Sequence, residues 1–404
     1  VSASFPAAAP HGRRLRIAFV ARRFGARFGG AEAYGERVLA ELAQRHDIHV
    51  FCQEWDSPLP LAHTLVGCNR RLPRWLNLLD FGRRCAPLLR GFDVVHSHEN
   101  LWLGDVQVVH VMPVRYSRLH NPPSWRRRLR SLTSMRWLTY LALEALRVQA
   151  RPQRTVVAAS ALIAQQLSTA YARMAPVQVI TPGVQLPAQP RDQAAARARL
   201  GLTPGRVYLL LIANDPVRKG LDAALDALAR LPERTQLLVV GGDAATAERV
   251  RASALASNVA ARVQAWPGQR DVDVFYDAAD ICLFATLGDA FGMVPLEAMA
   301  HGLPVILSPA RYCGFAGHLM PERDALVLDD PRDSGEIAHA VRRLMDDPAL
   351  CEALVAAGHR VAQTFGWRTI AAQFEHVYLA DARADVLLPS REAGGGEDTI
   401  AGSR

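Results

Sequence analysis

Short apolar runs alternate with longer amphipathic stretches along most of this chain. In the first half, residues 16–21, 48–52, 94–98, 106–111, 155–159 and 177–180 are apolar runs of strand length. A helix is predicted over 31–45, with Val38, Leu39 and Leu42 on one face, and others over 132–147 and 161–170. In the second half, predicted helices at 192–200, 220–231, 245–255 and 272–279 separate strand runs at 207–213, 236–241 and 263–266. Such alternation predicts parallel sheets covered on both faces, and 404 residues exceed one core. The expected fold class is α/β, with two facing, doubly wound parallel-sheet domains. The divisions expected are a loose leader at 1–14, domains at 15–183 and 184–365, a C-terminal helix at 366–380 packing back toward the first domain, and a disordered polar tail at 381–404.

Residues 280–308 (DICLFATLGDAFGMVPLEAMAHGLPVILS) gather several signals. The run 281–285 predicts a buried strand, the loop 286–292 contains Gly288 and Gly292, and Pro295 suits a first helical turn, where a missing N–H costs nothing. Gly302 and Pro304 end that helix, and 305–307 begins another strand. This unit points a helix N-terminus out of the carboxyl edge of the sheet, where anions bind in α/β proteins. Asp289 and Glu297 flank the turn, and a site for an anion alone has no use for them.

Charge sharpens this picture. The chain carries 47 Lys+Arg against 39 Asp+Glu, a net of +8, but residues 1–183 stand at +14 and 184–404 at −6. The first half therefore suits an anionic partner. Of the 47 basic residues, 46 are arginine and one is lysine, Lys219. A bias toward arginine explains the scarcity of lysine but not the persistence of one. A site that needs a compact point charge resists the planar guanidinium. Lys219 closes the loop 214–220 (NDPVRKG), between a buried strand and a helix, at a carboxyl edge like that of 286–292. A basic pair on a loop is commonly just solvated; this position favours Arg218 and Lys219 as neutralisers of a diphosphate.

Other residues are less specific. Gly29 and Gly30, at a helix start, leave room for a phosphate or sugar beside the backbone, although no GxGxxG fingerprint supports a dinucleotide. Glu32 reads as a dipole-complementing acid. His96, His98 and His110 fall at strand ends, where histidine is commonly a hydrogen-bonded core residue. His110 is the one expected to face a cleft, and His96–Ser97–His98 is expected to present only one histidine to a given side of the sheet. Asp271–Val272–Asp273 has the form of a metal-binding DxD but precedes a helix, where acids are common, and no metal is expected. Trp125 with Arg126, Arg127, Arg128 and Arg130 forms a basic aromatic patch, and Arg70, Arg71 and Arg74 beside Trp75 form another. Nucleic acid, an anionic bilayer, a phosphorylated lipid acceptor and a solvated helix face all remain open for them. The six cysteines show no CxxC, so reduced thiols in the cytoplasm are expected, and no apolar run approaches the roughly 20 residues of a membrane span.

On these residues the chain resembles a retaining glycosyltransferase of family 4, with the GT-B fold of two Rossmann-like domains, from Arg16 to about Leu379. The strongest segment is DAFGMVPLEAMAHGLPVILS, whose Asp289 and Glu297 resemble the family's acidic pair eight residues apart. FGGAE (28–32), DPVRKG (215–220), TPGV (181–184) and YCGFAGHL (312–319) support it, and NDPVRKG with the first-domain layout most resembles lipopolysaccharide core glucosyltransferases. The resemblance implies a metal-independent hexosyltransferase without a cofactor, taking a nucleoside diphosphate sugar, UDP-glucose foremost, as co-substrate. It implies a glycolipid or saccharide acceptor in lipopolysaccharide core or other cell-surface glycan biosynthesis, and a peripheral position at the inner face of the cytoplasmic membrane, with no nucleic acid. A GDP- or ADP-linked donor in another envelope or exopolysaccharide pathway is one alternative; a basic nucleic-acid-binding protein is another.

By the same resemblance, Arg218 and Lys219 hold the diphosphate, and Phe291, Gly292, Met293 and Val294 offer it backbone N–H groups. Glu297 takes the ribose hydroxyls and Asp289 the donor sugar. Gly29 and Gly30 leave room for phosphate and acceptor, His110 touches the donor sugar, and Gly268 and Arg270 lie near the base. The family usually has glutamate where this chain has Asp289, one methylene shorter. It often has arginine where this chain has Asn214 and Asp215, which leaves more of the phosphate load to Arg218 and Lys219.

Overall fold

The apolar runs line up as two parallel sheets in the computed structural model, which describes residues 13–386 apart from residues 70, 121–123 and 270, and omits the side chains of 127 and 381–386. In chain order the strands are β1 (Arg16–Val20), β2 (Arg23–Phe24), β3 (Asp47–Cys52), β4 (Glu54–Trp55), β5 (Ala62–Leu65), β6 (Val94–Ser97), β7 (Val106–Val109), β8 (Thr155–Ala158) and β9 (Val177–Val179). They continue as β10 (Val207–Ile212), β11 (Thr235–Val240), β12 (Val263–Trp266), β13 (Ile281–Phe284), β14 (Val305–Leu307) and β15 (Leu326–Val327). The first sheet runs β5-β3-β1-β6-β7-β8-β9 and the second β12-β11-β10-β13-β14-β15, and every pairing is parallel. The short strands β2 and β4 pair separately. Each sheet therefore reverses its winding once, between β1 and β6 and between β10 and β13. Ligands of doubly wound sheets bind at such switch points.

Burial on both faces explains the apolar runs. In β10, Leu209 and Leu211 pack with Leu221, Leu225, Ile337 and Val341, while Tyr208 and Leu210 pack on the other side with Leu296 and Met299. In β1, Ile17 and Phe19 face the helix Gly30–Leu42 through Tyr34, Val38 and Leu39, while Ala18 and Val20 meet Leu78 and Phe81. The chain crosses between the sheets twice, and the crossings touch: the Val184 N–H donates to the Phe365 C=O at 2.8 Å. After the second crossing the helix Trp367–Val386 returns to the first sheet, burying Trp367, Ile370, Phe374 and Tyr378 against Ile17, Phe19 and Tyr34.

Several boundaries differ from expectation. The last helix runs six residues beyond 380, to Val386, and the rest of the expected tail, like leader residues 1–12, lies outside the described residues. Arg13 and Arg14 are not loose: they pair with Asp93 at 2.8 Å and Asp47 at 2.7 Å. The helix expected over 132–147 is two, Trp125–Thr133 and Met135–Val148, because Ser134 is extended between them. No helix among the described residues is long and apolar enough to cross a membrane.

Candidate functional site

Strands β10 and β13 are neighbours at the second switch point, so the loops leaving their carboxyl ends are neighbours too. The Leu287 N–H donates to the Arg218 C=O at 2.9 Å, and Arg218 Nη1 donates to the Gly288 C=O at 2.6 Å. Gly220, with φ +88°, lies so close that an added Cβ would sit 2.2 Å from the Ala285 carbonyl oxygen. This close approach seats Lys219, which is 7% exposed, with Nζ paired to the Asp289 carboxylate and 4.9 Å from the centre of the Phe284 ring. Arg218 is exposed, with Asp215 3.6 Å from its Nε. The sheet thus assembles a cationic edge with one sheltered ammonium and one open guanidinium.

Asp289 is held from several sides. Its second carboxylate oxygen accepts the Phe291 N–H at 3.1 Å, and its own N–H donates to the Tyr312 C=O at 2.7 Å. The Phe291 amide is therefore occupied by Asp289, not open as the resemblance implied. The helix Met293–Ala300 follows, N-capped by Gly292 in the left-handed region with no side chain capping it. A Cβ on Gly292 would lie 2.6 Å from Cys313 Sγ, so the 312–315 segment is packed tightly beneath this helix start. Glu297, in the same helix, accepts from Tyr276 Oη at 2.6 Å. Burial raises its carboxyl above the usual range, and the tyrosine bond opposes that shift. Tyr276 is itself stacked on His301, which bonds Asp277 at 2.8 Å.

The remaining edge loops of this sheet are tied in series. The Gly268 N–H donates to the Gly242 C=O at 2.8 Å, and the Gly242 N–H donates to Asn214 Oδ1 at 3.1 Å. Arg270 lies outside the described residues. Asp271 pairs with Arg199 at 2.7 Å and Asp273 opens a helix, 3.6 Å from His301 Nε2. Among the described residues no three His, Cys, Asp or Glu side chains cluster as metal ligands.

In the first domain, Gly29 caps the helix Gly30–Leu42, and a Cβ on Gly30 would meet open space. Glu32 pairs with Arg23 at 2.8 Å. Half-buried His110, after β7, has Nε2 3.0 Å from His98 Nδ1, and His98 Nε2 is 2.9 Å from His96 Nε2. His96 and His98 thus share one side of the sheet, correcting the expectation that they part; residues two apart in an extended chain point the same way. The two domains touch beside Asp289, where Ser160 Oγ donates to the Ala290 C=O. Trp125 is 71% exposed on its helix, with Arg126, Arg128, Arg130, Leu129 and Leu132 also exposed, while the Arg127 side chain lies outside the description. The structure therefore brings Arg218, Lys219 and Asp289 together, with the helix start behind them. It gives no direct contact from these to Gly29, Gly30, Gly268, His110 or the arginine patch. Tyr276, Ser160 and Tyr378 carry no signal of their own in the sequence, because each is tied to the site or its neighbours only by a contact made on folding, with Glu297, Ala290 and His96.

Residues 28–186 match the family model described as Glycosyltransferase Family 4, and residues 192–361 the one described as Glycosyl transferases group 1. Lipopolysaccharide glucosyltransferase WaaG of Escherichia coli (strain K12) is 25% identical over 344 residues, which cover 80% of this chain and 88% of that protein. D-inositol 3-phosphate glycosyltransferase of Rhodococcus jostii (strain RHA1) is 34% identical over 204 residues, 47% of this chain and 44% of that protein. The chain thus spans about half the length of such inositol-phosphate relatives. Among solved structures, WaaG, described as involved in lipopolysaccharide biosynthesis, superposes with a TM-score of 0.76 at 22% identity, over 92% of this chain and 100% of that one. HepE from Anabaena, solved in complex with UDP-glucose, gives 0.72 at 18% identity, over 91% and 100%. The two facing parallel-sheet domains are the GT-B arrangement these structures share.

Proposed function

Because the chain belongs to the glycosyltransferases that join a family 4 domain to a group 1 domain in a GT-B fold, we propose that it moves a hexose, glucose foremost, from a UDP-sugar to a glycolipid acceptor with retention. The product would be lipopolysaccharide core or another cell-surface glycan. The observation that carries this is the meeting of Lys219 with Asp289, 70 residues apart, where β10 and β13 part. An ammonium, a guanidinium and an uncapped helix start converge there on one edge, which suits a diphosphate; a carboxylate beside them suits a sugar hydroxyl. The similarity to WaaG over most of both chains supports the acceptor class, and the HepE complex supports the donor.

In this reading Lys219, Arg218 and the amides of Gly292, Met293 and Val294 hold the diphosphate. As the phosphates draw Lys219 away, Asp289 accepts from the sugar hydroxyls. Glu297 accepts from the ribose, Gly268 and Arg270 border the base, and His110 meets the sugar across the cleft. Gly29 and Gly30 leave room for phosphate and acceptor. The acceptor hydroxyl attacks the anomeric carbon from the face the diphosphate leaves. The bond from that carbon to the phosphate oxygen breaks, the new C–O bond forms, and the hydroxyl proton passes to the leaving diphosphate. The protein's part is positional and electrostatic. With these cations in place of a metal, turnover is expected to survive EDTA; loss restored only by Mg²⁺ or Mn²⁺ would count against the scheme. Trp125 with Arg126, Arg127, Arg128 and Arg130 docks the first domain on the anionic inner face of the cytoplasmic membrane.

A panel of UDP-, GDP- and ADP-sugars, screened by thermal shift and then by product analysis, tests the reading. UDP-glucose should raise the melting temperature and yield a glucosylated phosphoglycolipid with the donor's anomeric configuration. Epimerised or phosphorolysed donor with no transfer would refute it. The 34% identity to inositol-phosphate transferases makes inositol phosphate the second acceptor to include.

A further inference from the structure

Three histidines from two adjacent strand ends meet a tyrosine of the last helix in one line. Tyr378 Oη bonds His96 Nδ1, His96 Nε2 lies 2.9 Å from His98 Nε2, and His98 Nδ1 lies 3.0 Å from His110 Nε2. Tyr378 and His96 are fully buried, among Phe19, Tyr34 and Phe374. One ring nitrogen is left over, His110 Nδ1. His110 is half-buried just past the carboxyl end of β7, and this nitrogen has no partner among the described residues.

The line favours one proton order. A buried phenol keeps its proton, and burial pushes that of Tyr378 further from ionisation. Its hydroxyl has His96 Nδ1 for a partner; were Nδ1 to donate instead, the buried O–H would have no acceptor. Tyr378 therefore donates, and His96 carries its proton on Nε2 and donates it to His98 Nε2. His98 then carries its proton on Nδ1 and donates to His110 Nε2, which leaves the His110 proton on Nδ1. The order requires neutral rings. Burial lowers His96 and His110 to about 3, with the nearby Arg147 adding to the effect on His110, and holds His98 well below its ordinary value. The Ala31 backbone also bonds His98, in the sense that favours a proton on that ring.

We propose that Tyr378, His96 and His98 are positioning residues that fix His110 as a neutral hydrogen-bond donor through Nδ1, aimed at an acceptor oxygen of the ligand in the cleft. The identity of that ligand, a sugar nucleotide, rests on the glycosyltransferase reading; the proton order does not. An element at the far end of the chain thereby sets which face of an imidazole the site presents.

Two-bond ¹H–¹⁵N spectra of protein labelled with [¹⁵N]histidine, with His110→Ala identifying the His110 signals, read the order directly at neutral pH. The expected pattern for His110 is a pyrrole-type Nδ1 and a pyridine-type Nε2 in the ligand-free wild type. In Tyr378→Phe that pattern should give way to a mixed or opposite tautomer, with kcat about tenfold lower. A pyrrole-type Nε2 or an imidazolium at His110 in the wild type overturns the proposal, as does a Tyr378→Phe protein whose His110 tautomer and kcat are both unchanged. The spectra need no donor. A failed sugar-nucleotide panel with the expected tautomer would sink the activity and leave the relay, and turnover with the wrong tautomer would do the reverse.

Discussion

Glu297 shows how one side chain ties fold to chemistry. Burial makes its carboxyl take up a proton more readily than the ordinary value of 4.5 implies. Because the folded-state pKa is raised, the stabilising effect of the protonated form is full at low pH and is lost as pH rises through that value. Ligand binding runs the other way: the carboxylate proposed to accept ribose hydroxyls disappears as pH falls through the same value. Nucleotide affinity is therefore expected to weaken on acidification at a pH above the usual glutamate range. Titration calorimetry across a pH series checks this. Glu297→Gln should abolish the acid limb and weaken binding about tenfold at neutral pH; an identical limb in that variant would remove Glu297 from the donor site. Lys219 was legible from composition alone, since one lysine beside 46 arginines stands out. Its pairing with Asp289 was not, because the two meet only once β10 and β13 are neighbours. The histidine line was further from view, since its last member, Tyr378, is 282 residues from His96.

Between strand and helix, the loops at the switch point carry the candidate site, and Gly220 shows their tolerance. An alanine there must enter the left-handed region and displace the Ala285 carbonyl, a cost of about 1–3 kcal/mol. Gly220→Ala is expected to lower stability in urea by that amount and to lower turnover more than stability explains, because it moves Lys219. Full turnover in a measurably destabilised variant would separate the loop from the chemistry. As far as residue 308 the second domain's elements were legible to within a residue or two because its inner strands are buried on both faces, as with β11, expected at 236–241 and found at Thr235–Val240; the strand β15 and the helices Ser334–Asp346 and Pro348–Thr364 were not foreseen. The first domain was less so between β3 and β6. Strand β5 is an edge strand, largely exposed, with too few apolar residues to stand out, and the helix Arg74–Cys85 lies under arginines that read as a patch.

On the scale of the whole molecule, the charge split separates a basic first half from an acidic second half. The basic excess of the first 183 residues is displayed in part on the helix Trp125–Thr133, where Trp125, Leu129 and Leu132 are exposed beside Arg126, Arg128 and Arg130. Apolar anchors among cations suit an anionic bilayer better than a bare solvated face. Charge reversal at Arg126, Arg128 and Arg130 is expected to weaken binding to phosphatidylglycerol vesicles at least tenfold in co-sedimentation, while turnover on a detergent-dispersed acceptor is retained. Unchanged sedimentation would assign the helix to solvent. The acidic second half holds the cationic edge of the candidate site, with Lys219 at its centre. Turnover of the preferred nucleotide sugar by Lys219→Ala, with its fold checked by circular dichroism, tests it most directly. A fall of about 10²–10³-fold with the fold intact is the result this account predicts; turnover near that of the wild type would contradict it.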